Sequence, residues 1–242
     1  MQAIQAAGRI TGTQVLPFGI EAIDERLCGA GLACGALHEI TGTSGNLNDD
    51  AAATLFTAGI ASRCAAESGT VLWALTRRDL FAPALAQVGL RPDRLIYAEC
   101  RRDEEALAVM EEGLRHGSLA AVIGEIGRMT MTATRRLELA AENSGMTALV
   151  LKRWRRSGED PLAQPSSAVT RWRIGCVPSK PLPVSGIAQS RWRIELVRQR
   201  GGPPHQWILE GTDEAGRLAY PAEPFHRSAA ADRSEAPARH AA

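Results

Sequence analysis

Residues 36–66 read as an apolar strand, a glycine turn and a helix, in that order. Ala36-Leu37-His38-Glu39-Ile40 supplies the strand and Gly42-Thr43-Ser44-Gly45 the turn. From Asp50 to Ala66, apolar and small residues recur at helical spacing through Leu55, Phe56, Ala58, Gly59, Ala61 and Ser62. That order builds a phosphate cradle, because the backbone N–H groups of the turn and the positive end of the helix converge on an anion. The residues that would do chemistry there are missing. Counting from Gly42, the second glycine falls on Leu47, the lysine on Asn48 and the magnesium-binding hydroxyl on Asp49. No lysine precedes Lys152. Asp49 and Asp50 complement the helix dipole themselves and repel an anionic ligand. Gly42, Gly45, Asn48 and Asp49 therefore mark a degenerate loop and no nucleotide site.

Around this unit the chain alternates strands and helices. Gly19–Leu27 reads as a short helix. Strands are expected at Thr70–Leu75, Arg94–Ala98, Leu119–Ile123 and Met146–Leu151, and helices at Phe81–Gly89, Asp103–His116 and Thr132–Ser144. Asp103 heads its helix with acids in the first turn, and Gly145 stands where a helix C-terminus takes glycine. Such alternation predicts an α/β fold with a mostly parallel sheet covered on both faces. Trp154–Val169, with Gly158, Pro161 and Pro165, reads as a long mobile loop. Beyond it the pattern turns to period two: Trp172, Ile174 and Cys176; Trp192, Ile194 and Leu196; Trp207 and Leu209; Leu218 and Tyr220. Four short strands of this kind extend the sheet in antiparallel fashion, with Gly201-Gly202-Pro203-Pro204 as a hairpin turn. The expected organisation is a flexible stretch at 1–14, one domain over 15–222 and a disordered tail at 223–242.

The net charge of +1 conceals an asymmetry. Residues 1–150 carry 13 basic against 18 acidic side chains, while 151–200 carry 11 against 3. A polyanion or acidic partner is expected to meet the second of these segments. Lys152-Arg153-Trp154-Arg155-Arg156 opens the long loop, and Arg-Trp-Arg-Ile occurs at both 171–174 and 191–194. Arginines beside aromatic rings suit single-stranded nucleic acid, with guanidinium on phosphate and bases stacked on rings. Period-two strands give a second reading of Arg171, Arg173, Arg191 and Arg193: tryptophans in the core and arginines on a solvated face. A protein partner with an acidic surface fits the same patch. Lys152, Arg153, Trp154, Arg155 and Arg156, placed on a loop, are the better contact residues.

Other chemistry finds little support. The five cysteines show no CxxC pair and read as buried thiols, and the histidines fall into no nucleophile or metal pattern. No cofactor or metal is expected. The position that would hold a water-activating glutamate falls near Thr76, and the acidic position after Leu119–Ile123 is Glu125, an ordinary strand end or a remnant. Without lysine, hydroxyl and activating carboxylate together, phosphoryl transfer has no machinery. Neither a signal peptide nor an apolar run near eighteen residues is present, so a cytoplasmic chain with no membrane association is expected.

The run Phe-Gly-Ile-x-x-Ile-Asp, then Gly-x-Gly-Leu-x-x-Gly-x-Leu-x-Glu-Ile-x-Gly at 17–42, resembles the entry to the ATPase core of RecA-type recombinases. With Val71–Asp79, Leu119–Ile126, Arg191–Glu210 and the missing P-loop lysine, residues 15–221 resemble the ImuA family of RecA/SulA-related proteins. The resemblance implies a RecA-like core and a non-catalytic accessory role in SOS-induced translesion synthesis. It implies as partners an ImuB-type inactive Y-family polymerase homologue and an error-prone C-family DNA polymerase, with RecA and single-stranded DNA as further partners. It places the protein at the nucleoid when engaged in repair. No catalytic residue carries over. A SulA-like inhibitor of cell division and a RecA-like nucleotide-dependent DNA-binding protein remain as alternatives.

Overall fold

The computed structural model describes residues 14–155, 158–182 and 185–221. The expectations for 1–13, for 223–242 and for Arg156 lie outside these residues. The strand read at 36–40 forms as β3 (Leu37–Gly42), after a two-residue ribbon of β1 (Val15–Leu16) and β2 (Leu32–Ala33) that enclose α1 (Glu21–Asp24). The long helix follows as α2 (Leu47–Ala65), and the alternation continues with β4 (Val71–Leu75), α3 (Ala82–Gln87), β5 (Leu95–Glu99) and α4 (Asp103–His116). Next come β6 (Ala121–Glu125), α5 (Met131–Ser144), β7 (Thr147–Lys152), β8 (Thr170–Val177), β9 (Arg191–Gln199) and β10 (His205–Glu210). Gly145 closes α5 in the left-handed region at φ 72°, where a side chain would be strained.

Eight strands form one mixed sheet in the order β10-β9-β8-β3-β7-β6-β4-β5. All pairs from β8 through β5 are parallel, and β8/β9 and β9/β10 are antiparallel. The architecture is thus α/β, mostly parallel, with an antiparallel C-terminal extension. The extension departs from the expectation in two ways. Its first strand is parallel to β3, and the segment at Leu218–Tyr220 adds only a single bridge, Glu210 to Ala219. The loop at 154–169 is also tighter than expected, since Leu162, Ala168 and Val169 are buried against the fold.

Side chains alternate across the sheet and supply two cores. On one face Ile40, Trp73, Ile123, Leu149, Leu151, Trp172, Trp192 and Trp207 pack with Phe56 of α2. On the other, Leu37, Val122, Ala148 and Val150 pack with Met110 of α4 and Leu137 of α5. Trp172 and Trp192 are therefore core residues, with Trp172 tilted against Phe56 at 5.8 Å and against Phe18 at 5.7 Å. The cysteines are less buried than expected: Cys100 alone is buried, Cys28, Cys34 and Cys64 are half-buried, and Cys176 is exposed. Among the described residues no helix is long and apolar enough to cross a membrane.

Candidate functional site

Strand β3 lies between β8 and β7, while the helix that follows it leads on to β4, three places further along the sheet. A strand-order reversal of this kind opens a crevice at the carboxyl ends of the strands, where α/β sheets take their ligands. Gly42, Gly45, Asn48 and Asp49 stand in that crevice, and it is filled from within. Asn46 caps α2 by accepting from the Asp49 N–H at 2.8 Å. The Asp49 carboxylate turns back over the turn. Its Oδ1 accepts from the Cys176 N–H at 2.8 Å, and its Oδ2 accepts from Ser44 Oγ at 2.8 Å and Asn46 Nδ2 at 3.2 Å. The protein's own carboxylate thus engages two side chains of the turn and one backbone N–H of β8, and it sets a negative charge where an anionic ligand would lie. Asn48 points to solvent, and its carbonyl accepts from the Cys176 thiol.

Trp154 covers the turn. Its indole Nε1 donates to the Gly42 carbonyl at 2.9 Å, and a Cβ on Gly45 would stand 3.3 Å from the Trp154 Cβ. Gly45 is where the backbone lets the ring approach this closely.

Beneath the turn lies a buried arginine. Residues 147–152 form β7, so alternation sends Arg153 to the α2 side of the sheet with Leu149 and Leu151, and Lys152 to the other side with Ala148 and Val150. Arg153 Nε and Nη2 donate to the two oxygens of Glu125, at 3.3 and 3.0 Å. Its Nη1 donates to Asp50 at 2.6 Å and to Thr54 Oγ1 at 3.1 Å, and Asp79 lies 3.7 Å from Nη2. Trp73 Nε1 also donates to Glu125, at 3.2 Å. Burial works against the charge of Arg153, but Glu125 and Asp50 outweigh it and raise its pKa. Burial raises the pKa of Glu125, and the arginine offsets only part of that. Glu125 is thus one half of an internal ion pair, neither of the two roles its sequence position suggested.

Across the sheet a second buried cluster joins Glu39 to Arg171, whose Nε donates at 2.7 Å, and to Lys152 at 3.8 Å. Lys152 also donates to the Pro161 carbonyl and Arg171 to that of Gln164, which ties down the loop before β8. Burial lowers the pKa of Lys152, against the pull of Glu39.

Reading 152–156 as an exposed contact loop is therefore corrected at two positions. Lys152 belongs to β7, and both Lys152 and Arg153 are buried and neutralised, because each follows the pleat of the strand to a carboxylate. Arg171 is buried for the same reason. Trp154 is half-buried, and Arg155 is exposed and paired with Asp103. Arg173 is held by Asp160 at 2.8 Å and Glu195 at 3.6 Å. Arg191 and Arg193 are half-buried on the face of β9 opposite the tryptophans, and Arg191 donates to the Pro178 carbonyl at 3.3 Å. Thr54 and Asp79, which help complete the Arg153 cluster, escape sequence reading, as does the pairing of Asp50 with Arg153. A cation placed one residue beyond a buried strand was the only available signal.

No protein-family model matches the chain. Two curated relatives from Caulobacter vibrioides, from strains NA1000 / CB15N and ATCC 19089 / CIP 103742 / CB 15, carry the name Protein ImuA. Each is 39% identical to this chain over 226 residues, which span 89% of the chain and 90% of the relative.

Proposed function

The chain belongs to the ImuA family, and from that premise we propose that it is a non-catalytic, RecA-like accessory factor in SOS-induced, error-prone translesion DNA synthesis. On this reading it works with an ImuB-type inactive Y-family polymerase homologue and an error-prone C-family DNA polymerase. RecA and single-stranded DNA are further contacts, made at the nucleoid.

The observation that carries the non-catalytic part is the closure of the cradle. A phosphoryl-transfer site needs free donors for phosphate, a metal position and an oriented water. Here the Asp49 carboxylate bridges Ser44, Asn46 and the Cys176 N–H, Trp154 covers the turn, and Arg153 holds Asp50 and Glu125. Glu125, held by Arg153 and Trp73, keeps no free oxygen to orient a water. What remains is a rigid α/β body whose surfaces do the work.

The test pairs a genetic with a biochemical measurement. Deletion of the gene should abolish damage-induced mutagenesis, and the R153M/E125Q double variant, if it folds, should restore it without any ATPase activity. ATP hydrolysis stimulated by single-stranded DNA would contradict the reading. Filamentation on overexpression without any effect on mutagenesis would favour the division-inhibitor alternative.

A further inference from the structure

Beside the closed cradle the surface carries two large apolar side chains that no described residue covers. Leu47 begins α2 and is 83% exposed, and Phe81 directly precedes α3 and is 68% exposed. Between them opens a cavity of about 300 Å³, walled by Leu80 and Ala84 and floored by Asp50 and Arg153, with Asp79 on its rim. Solvent-facing apolar residues that flank a cavity mark interaction sites more often than isolated ones do. Leu47 and Phe81 are part of the cavity's lining, yet at 83% and 68% exposure most of each side chain faces solvent. A protein surface would cover both.

The charges say what kind of surface. Asp50, Asp79 and Glu125 surround a single guanidinium, that of Arg153. Arg77 meets Asp79 at its outer edge, at 3.2 Å, so three carboxylates face two guanidiniums and one negative charge is left over; the most accessible of the three is Asp79, whose side chain is 41% exposed. An anion, nucleotide or acidic peptide would be repelled here. A cation set next to an apolar side chain would be accepted, with the apolar group in the cavity and the cation on Asp79.

We propose that the cleft between Leu47 and Phe81 is a protein-docking site that takes a partner segment carrying a large aliphatic or aromatic residue beside a lysine or arginine. The inference rests on the accessory-factor reading and assigns it a surface. Docking at this point would use the surface beside the closed cradle as a scaffold for a peptide.

Two measurements test it. The first maps amide chemical shifts of the full chain with a synthetic Leu/Lys helical peptide as probe and its Leu/Glu counterpart as control. Shifts at Leu47, Ala51, Phe81 and Ala84 with the first peptide only are expected; none there with either, or equal shifts with both, would overturn the proposal. The second measures binding to the purified Y-family homologue. The pair L47S/F81S should weaken it at least tenfold, D79N should weaken it and flatten its salt dependence, and L139S on the exposed face of α5 should leave it unchanged. Melting temperatures of all variants should stay near wild type, since these side chains are exposed. Undiminished binding by L47S/F81S would overturn the site. Should the wild-type chain fail to bind the homologue while the peptide map holds, the partner is wrong and the cleft stands. Concentration-dependent self-association abolished by L47S/F81S would assign the cleft to a second copy and overturn the proposed partner chemistry.

Discussion

Arg153 lies side-on against Glu125, with Nε 3.3 Å from one carboxylate oxygen and Nη2 3.0 Å from the other. Two fixed donors meeting two oxygens is a geometry that arginine offers and lysine does not. Removing the guanidinium would leave Glu125 buried and unpaired. R153M is expected to cost about 3–5 kcal/mol of stability, and R153K to recover only part of it. The R153M/E125Q double variant should cost less than the two single changes added together, because the residues share one interaction. Urea unfolding of the set measures this, and additive effects would show that the pair is not coupled.

Trp154 acts from above the turn. W154A removes the donor to the Gly42 carbonyl and uncovers Gly45, and about 1–3 kcal/mol of stability should be lost. Nucleotide binding should not appear in exchange, because the Asp49 carboxylate still lies over the turn, held by Ser44 and the Cys176 N–H, and repels an anion. A fluorescent ATP analogue titrated against W154A checks this; saturable binding would mean that the indole alone keeps nucleotide out.

His38 sets an acid limit on stability. It is buried, with Nε2 donating to the Ala33 carbonyl at 2.9 Å and Nδ1 accepting from the Thr170 hydroxyl at 2.7 Å. Burial lowers its pKa to about 4, although the Ala33 carbonyl pulls the other way. The unfolded chain takes up a proton near pH 6.5 and the folded chain only near 4, so stability falls as pH drops through that window. The loss from this one group is of the order of 3 kcal/mol. H38Q should be less stable at neutral pH and should flatten the slope between pH 6.5 and 4; an unchanged slope would assign it to other groups.

The arginines of the C-terminal strands divide into two sets. R191S/R193S alters half-buried positions on the open face of β9 and should leave the fold intact. If that face holds single-stranded DNA, the change should weaken oligo-dT binding and reduce its salt slope by about 1.4, two phosphates' worth. R171S instead leaves Glu39 without its 2.7 Å partner and should destabilise the protein before any binding is measured. Equal oligo-dT affinity for wild type and R191S/R193S would remove this face from the list of nucleic-acid contacts.

Much of this organisation was legible in the sequence because it is periodic. The bounds of α4 at Asp103 and His116, the C-terminal glycine of α5 and the inward tryptophans of β8 and β9 all follow from local spacing. The departures from expectation come from long-range contacts. Nothing near Arg153 indicates that its carboxylates lie 28 and 103 positions away, so a basic run that reads as an exposed loop divides across the pleat into two buried clusters. The parallel pairing of β8 with β3 is equally non-local, because period two marks a strand without naming its neighbour. The degenerate residues of the cradle could be counted from Gly42, but the chain could not show that Asp49 and Trp154 would fill it.

The central claim is that the Asp49 carboxylate and the Trp154 ring occupy this cradle in place of a nucleotide, and equilibrium binding of Mg-ATP to the full chain tests it most directly. Isothermal titration should give no saturable heat up to millimolar nucleotide, for wild type and for W154A alike. A saturable micromolar affinity, lost when Asp49 or Glu125 is changed, would contradict the account.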